Sequence, residues 1–235
     1  MLKNILDDSK NLFTFVLMLS ISDITKSYGE LEVLRGVTFD IKAGEIVAVI
    51  GPSGAGKTTL LQIIGTLDRP DKGKVLYFGE DVFSRNDRSL SEFRNRSIGF
   101  VFQSHQLLPE FTLAENVMLP ALIGGETIKE ARSKALMLLR EVGLEERYNH
   151  KPSQLSGGEC QRGAVARALI NTPSIVFADE PTGNLDSANS AELESLFFYL
   201  RDKHGTTFVI VTHDTELASR CDRIIRIIDG KIIGE

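Results

Sequence analysis

Three short runs of the chain are almost continuously apolar: IVAVI at 46–50, SIVFAD at 174–179 and TFVIVT at 207–212. Runs of this length without polar alternation predict strands buried on both faces, as in the interior of a parallel sheet. RIIRII at 223–228 predicts a late strand, and Lys74–Phe78 another. Leu31–Ile41 carries apolar residues at strand density between the turn signals Tyr28-Gly29 and Ala43-Gly44. From Ile21 up to that turn the pattern is mixed. Elsewhere the apolar spacing changes to three and four. Helices are predicted over Lys57–Thr66, Ile128–Val142, Glu159–Ile170 and Glu192–Leu200, and the middle third, roughly residues 104–170, reads as helical, with ENVMLPALI at 115–123 inside it. Strands alternating with helices predict an α/β fold with a largely parallel sheet. There is no internal repeat, low-complexity tract or long linker.

Composition narrows the class. A chain of 235 residues with 42% hydrophobic and 25% charged residues is an ordinary globular protein, long enough to bury a sizeable core. The net charge of -5 gives none of the basic surplus of a free-standing nucleic-acid binder, although it leaves room for a local basic patch. Cys160 and Cys221 form no zinc pattern, and two thiols in a chain this long point to a reducing compartment. The apolar run Leu12–Leu19 is too short to cross a bilayer. Asp7 and Asp8 spoil the basic front of a signal peptide, and no small-residue cleavage site follows. A peripheral amphipathic extension and an over-extended start ahead of Met18 are the other readings, so residues 1–19 are set apart as an extension and residues 20–235 carry the functional argument.

The strand at 46–50 runs into GPSGAGKT at 51–58, a complete GxxxxGK[ST] phosphate-binding pattern with a helix behind it. Gly51, Gly54 and Gly56 allow a tight turn that brings backbone N–H groups up to phosphate oxygens. The helix start near Gly56 offers its positive dipole end, Lys57 reaches the β- and γ-phosphates, and the Thr58 hydroxyl suits Mg²⁺. The strand at 174–179 ends in Asp179 and Glu180. An Asp there can organise Mg²⁺, and the following Glu can polarise an attacking water. In LSGGECQR at 155–162, Ser156 is an N-cap, Glu159 completes a capping box, and Gly157 and Gly158 expose helix-start N–H groups. Alone this is a well-capped helix. Beside a phosphate loop it is a second anion site, which points to a composite site completed by another copy of the chain.

With GPSGAGKT, Gln103, LSGGE at 155–159, IVFADE at 175–180, NLD at 184–186 and His213 in that order, about residues 20–235 resemble the ATP-binding-cassette ATPases. The resemblance implies a P-loop NTPase with a RecA-like core, an antiparallel β-subdomain and a helical subdomain at roughly 104–170. It implies head-to-tail dimers that sandwich two ATP molecules between one chain's Lys57 loop and the other chain's Ser156–Gly158. Residue by residue, it implies that Tyr28 stacks on adenine and that Ser53, Gly54, Ala55, Gly56, Lys57, Thr58 and Thr59 wrap the phosphates. It further implies that Thr58, Gln103 and Asp179 serve Mg²⁺, that Glu180 is the general base, that His213 contacts the γ-phosphate, and that Asp186 speaks across the dimer. Cys160 departs from the pattern, standing where relatives usually carry Gln or Arg.

Within the family, IGTLDRPDKG at 64–73, residues 103–123 and ADEPTGNLD at 178–186 resemble the cassettes of lipoprotein-releasing systems, and those of macrolide exporters and cell-division complexes share much of this. SHQLLPEFT, with His105, favours the lipoprotein-releasing branch, with departures at Ser104 and Gln106. The resemblance implies integral membrane permease subunits as partners, a peripheral place at the cytoplasmic face of the inner membrane, and no nucleic acid. Cassette ATPases that act on DNA or ribosomes typically carry a coiled-coil insertion or two cassettes per chain, neither of which is present. A P-loop kinase has no use for LSGGE.

Overall fold

A computed structural model describes residues 17–234. Most of the apolar run Leu12–Leu19 therefore lies outside the described residues, while its last three members open the first strand.

Six strands form the central sheet: β3 (Ile46–Ile50), β6 (Ile98–Phe102), β7 (Ile175–Asp179), β8 (Thr207–Val211), β9 (Arg223–Ile228) and β10 (Lys231–Gly234), in the order β10-β9-β3-β8-β7-β6. Every pairing in it is parallel except β9 with β10. The apolar runs read as doubly buried strands are so: Ile46–Val49, Ile175–Ala178 and all of β8 are buried. One face packs Val47, Val49, Phe177 and Val209 against helix α1 (Lys57–Ile64) and a second sheet. The other packs Ile46, Val176, Ala178, Phe208 and Ile210 against α6 (Ser187–His204), α7 (Thr215–Arg220) and the end of α5 (Gly157–Leu169).

The second sheet is antiparallel, with β1 (Leu17–Tyr28), β2 (Leu31–Lys42), β4 (Lys72–Tyr77) and β5 (Glu80–Asp81) in the order β2-β1-β4-β5. In β2, Val37, Phe39 and Ile41 point inward at the period of two that one-sided burial demands. β1 looked mixed in sequence because a bulge resets its phase. Leu19 and Ile21 alternate, the register shifts, and the next buried residue is Ile24. Asp23 takes a left-handed φ of 53° there, and its N–H donates to Thr38 Oγ1 at 2.8 Å. Met18 and Leu19, set aside with the extension, are buried in this core, and the Met18 carbonyl accepts the Phe78 N–H.

The helical layer consists of α3 (Leu113–Ile123), α4 (Ile128–Glu141) and α5, each opened by a capping box: Thr112 with Glu115, Thr127 with Glu130, and Ser156 with Glu159. Its own core joins Leu113, Val117, Ala121, Ala135, Leu139 and Ala164. Cys160 sits in that core, its Sγ 3.6 Å from the Pro152 carbonyl, and burial pushes its thiol above the ordinary range. α2 (Asp87–Ser97) and β6 had no counterpart among the predicted elements. α2 buries only Leu90, so its apolar spacing is silent, and it hands directly into β6. The fold is the expected one: an α/β core, an antiparallel β-subdomain and a helical subdomain.

Candidate functional site

Five parallel strands point their C-terminal ends the same way, and the segments that leave β3, β6, β7 and β8 carry the predicted chemistry. Open parallel sheets bind ligands at that edge.

The loop after β3 is built on backbone freedom that other residues lack. Gly51 has no room for a side chain, because a Cβ there would lie 2.1 Å from the Ile227 carbonyl oxygen. Gly56, at φ 98°, is packed against Val33 and Leu34 of β2. The Gly230 N–H donates to the Ala55 carbonyl at 3.2 Å, which ties the loop to the turn between β9 and β10. The Lys57 ammonium is held over its own loop by the carbonyls of Gly51 and Pro52, at 2.9 and 3.0 Å. It makes no ion pair with a carboxylate among the described residues. α1 has no side-chain cap and no acidic residue in its first turn, unlike α2 to α5. A lysine without a counter-ion beside an uncapped helix start fits a phosphate chain.

Asp179 closes β7 with Oδ1 3.3 Å from Thr58 Oγ1. Burial raises its pKa, and the Glu180 charge adds to this, while the Thr58 hydroxyl and Lys57 pull the other way. A carboxylate and a hydroxyl in contact are hard oxygen donors, of the kind Mg²⁺ takes alongside substrate phosphates. Glu180 then turns off the strand through a left-handed φ of 46°, its N–H bonded to the Val211 carbonyl of β8. That turn carries its carboxylate to the segment after β8. Oε2 lies 2.7 Å from His213 Nδ1 and 3.3 Å from the His213 backbone nitrogen. An ionised carboxylate can only accept, so in this contact the ring holds its proton on Nδ1. Gln103 leaves β6 one residue beyond Phe102, which pairs with Asp179 in the sheet. Its amide faces Asn184 Oδ1 at 3.5 Å, and Asn184 Nδ2 donates back to the Gln103 carbonyl at 3.1 Å.

Tyr28, at the tip of β1, is half exposed. Its hydroxyl donates to Asp68 Oδ2 at 2.7 Å and lies beside Thr59 in the first turn of α1.

Ser156, Gly157 and Gly158 form a separate cluster. Among the described residues Ser156 bonds only within the start of its own helix, its N–H donating to Glu159 Oε2, its Oγ accepting the Glu159 N–H and its carbonyl accepting the Cys160 N–H. These residues make no hydrogen bond to the loop at 51–59 of the same chain. They meet the start of α6 instead. A Cβ on Gly158 would lie 2.1 Å from Asn189 Oδ1, and Asn189 is itself held by the Asp186 carboxylate, the N-cap of α6. The chain thus brings together 51–59, Gln103, Asp179, Glu180 and His213 at one edge, with Tyr28 tied to α1, and Ser156–Gly158 with Asp186 at another. Asn184, Asn189 and Asp68 carried no assigned role in the sequence reading. Asn184 opens NLD and Asp68 stands in IGTLDRPDKG, but only side-chain contact reveals their partners.

Between β6 and the helical layer runs a cleft of about 450 Å³ lined by Arg94, Phe100, Gln106, Pro120, Arg167 and Asn171, among others. Arg167 fixes its rim by donating to the carbonyls of His105 and Gln106.

Residues 34–183 match the family model described as ABC transporter. The lipoprotein-releasing system ATP-binding protein LolD of Bacteroides fragilis is 58% identical over 216 residues, covering 92% of this chain and 100% of that protein. LolD of Porphyromonas gingivalis is 57% identical over 213 residues, with 91% and 97% covered. Among solved structures, the ATP-binding cassette MJ0796, a dimer in a post-hydrolysis state bound to ADP and Pi, superposes with a TM-score of 0.85 at 42% identity, over 92% of this chain and 97% of that one. CbiO1 from Clostridium perfringens, part of the ABC transporter complex cbiONQ, gives 0.85 at 27% identity, over 93% and 87%. The phosphate loop, the acidic strand end and the histidine beside it are therefore held in a shared cassette fold, and the chain belongs to the ABC transporter family as an ATP-binding, ATP-hydrolysing subunit.

Proposed function

We propose that this subunit powers lipoprotein release from the inner membrane, hydrolysing Mg²⁺-bound ATP between two copies of itself. The observation that carries the chemistry is the convergence of Lys57, the Thr58–Asp179 pair and the Glu180–His213 pair at the C-terminal edge of the parallel strands. In this reading Gly51 and Ser53 to Thr59 hold the phosphates through backbone N–H groups and the Lys57 ammonium. The Tyr28 ring lies against the adenine. Thr58, Gln103 and Asp179 hold Mg²⁺, which when bound offsets charge that develops on the phosphate oxygens. Glu180 Oε2 takes the proton of the attacking water. His213, with its proton on Nδ1, turns Nε2 toward the nucleotide. Ser156, Gly157, Gly158 and Asp186 complete the site of the opposite chain, which accounts for their lying away from the phosphate loop of their own.

The cargo assignment is supported by the LolD relatives, which align over nearly their whole length. No helix among the described residues is long and apolar enough to cross a membrane. In this reading, which the LolD relatives support, integral membrane permease subunits are the partners and the chain is peripheral at the cytoplasmic face. The cleft between β6 and the helical layer offers them a docking place. The test is to purify the chain from membranes with its bound subunits, reconstitute them in vesicles holding a lipoprotein, and add ATP. Lipoprotein released in an ATP-dependent way is the expected result. Recovery of the chain on ribosomes or DNA, with no membrane subunit, would overturn it.

A further inference from the structure

Tyr28 is held on two sides. Its hydroxyl donates to Asp68 Oδ2 at 2.7 Å, and the Lys26 ammonium lies over its ring, 5.2 Å from the centroid. The same ammonium donates to Asp68 Oδ1 at 2.9 Å and to the Arg69 carbonyl at 2.7 Å. One carboxylate therefore grips both the ring's hydroxyl and the cation against the ring. Burial opposes ionisation of Asp68, but the hydrogen bonds from Lys26 and Tyr28 hold its pKa below the ordinary value. Asp68 in turn lies in the turn that follows α1, the helix that leaves the phosphate loop, and is tied back to it. Its N–H and that of Leu67 both donate to the Gln62 carbonyl in α1. At the other end of that helix, Thr59 lies beside the Tyr28 hydroxyl. A tyrosine at the tip of a hairpin, half exposed, has ordinary freedom about χ1 and χ2. Here that freedom is removed by Lys26 of the same strand and by Asp68, which the turn after α1 ties to the phosphate-binding helix.

We propose that Asp68 is a positioning residue for the nucleotide base. It fixes the Tyr28 ring at a set place relative to the phosphate loop, with Lys26 on one ring face, so that the other is presented to adenine. The inference rests on the reading of Tyr28 as the adenine platform and goes beyond it. A ring fixed before binding costs less to order on binding than a free one. The cation on the far face draws electron density away from the face that receives the electron-rich purine. The effect is confined to the base, because phosphates are held by the loop at 51–59 and not by Tyr28.

The test uses the full chain, with ADP and inorganic tripolyphosphate measured as competitive inhibitors of its ATPase activity. Asp68→Ala and Tyr28→Phe each remove the same hydrogen bond and keep the ring. Each is expected to raise the ADP inhibition constant and the KM for ATP about three- to tenfold, the scale of one charge-assisted hydrogen bond at a partly exposed site. In Asp68→Ala, kcat and tripolyphosphate inhibition stay unchanged. The double variant is no weaker than Asp68→Ala alone, and Asp68→Asn, which keeps an acceptor, recovers part of the loss. If Tyr28→Ala leaves ADP inhibition unchanged, the adenine-platform reading itself fails. If Tyr28→Ala weakens ADP but Asp68→Ala does not, the platform stands and the role of Asp68 is overturned. Equal losses for ADP and tripolyphosphate in Asp68→Ala overturn it as well, since they mean that the phosphate loop has shifted.

Discussion

Replacing Glu180 by Gln changes one oxygen for an amide and leaves side-chain size and the left-handed turn intact. Glu180 Oε2 now accepts from the His213 backbone and ring. The Gln carbonyl oxygen, placed where Oε2 stands, can keep both contacts, but it is too weak a base to take the proton of water. Loss of a general base costs about 10²–10⁴ in rate. At about 1.4 kcal/mol per tenfold, that is about 2.7–5.5 kcal/mol of transition-state stabilisation. The ground state moves the opposite way. Asp179 has its pKa raised by burial first and by the Glu180 charge next. A carboxyl with a raised folded pKa weakens the fold above that pKa and has no such effect below its unfolded value. Removing the Glu180 charge relieves part of this penalty, so the variant melts at the same temperature as the parent or higher at neutral pH, and the difference closes in acid. Phosphate release from ATP, ADP affinity by calorimetry and thermal melting, measured on one preparation, separate these effects. Near-parental turnover refutes the role of Glu180. Turnover lost together with nucleotide affinity or melting temperature refutes the reasoning that confines the defect to proton transfer.

Lys57→Ala leaves phosphate charge without its ammonium, and calorimetry is expected to show ATP affinity reduced about 10- to 100-fold, on the scale of charge-assisted contacts. A chain begun at Met18 keeps the buried Leu19 and is expected to melt like the full chain. One begun at Ser20 loses that side chain and should be destabilised by about 2–5 kcal/mol, read by denaturant unfolding. Glu159 has its pKa lowered by the Ser156 backbone N–H first and then by Arg147. Its contribution is therefore complete above the unfolded value and fades as pH falls through the lower folded value, so the gap in stability between the parent and Glu159→Gln should narrow in acid titrations. Mixing Ser156→Arg chains with Glu180→Gln chains and isolating the heterodimer should leave one intact composite site, giving ATPase activity above either mutant homodimer. Crosslinks from Ser156→Cys that stay within one chain in ATP-loaded protein would contradict trans assembly.

The elements that sequence made legible are those whose burial is uniform or strictly periodic. β3, β7 and β8 are buried on both faces, so their composition alone marks them. α4 has one buried stripe at helical spacing, Ala131, Ala135 and Leu139. β1 was obscured because the bulge at Asp23 shifts the inward-facing set from odd to even numbers, and no fixed period survives such a shift. α2 was obscured because it is amphipathic only through Leu90, and its signal is the cap, Asn86 accepting from the Ser89 N–H. At the site, the backbone-built parts were legible because glycine spacing and strand ends are local. The pairs that orient the site, Tyr28 with Asp68, Gln103 with Asn184 and Gly158 with Asn189, join residues 31 to 81 positions apart and depend on how elements pack.

The turn that follows β9 has a consequence for synthesis of the chain. Gly51 rests on the Ile227 carbonyl, Ala55 is bonded by Gly230, and the Gly230 carbonyl in turn accepts the Arg35 N–H of β2. The phosphate loop is encoded in the first quarter of the sequence, yet its floor is supplied by residues near the end. A ribosome-bound chain that has exposed residues 17–200 already carries the whole GPSGAGKT segment, but not the hairpin on which it rests. Nucleotide capture is thus expected only once residues 223–230 have been made and have paired, and a chain cut before Arg223 should bind ATP far more weakly than the full one.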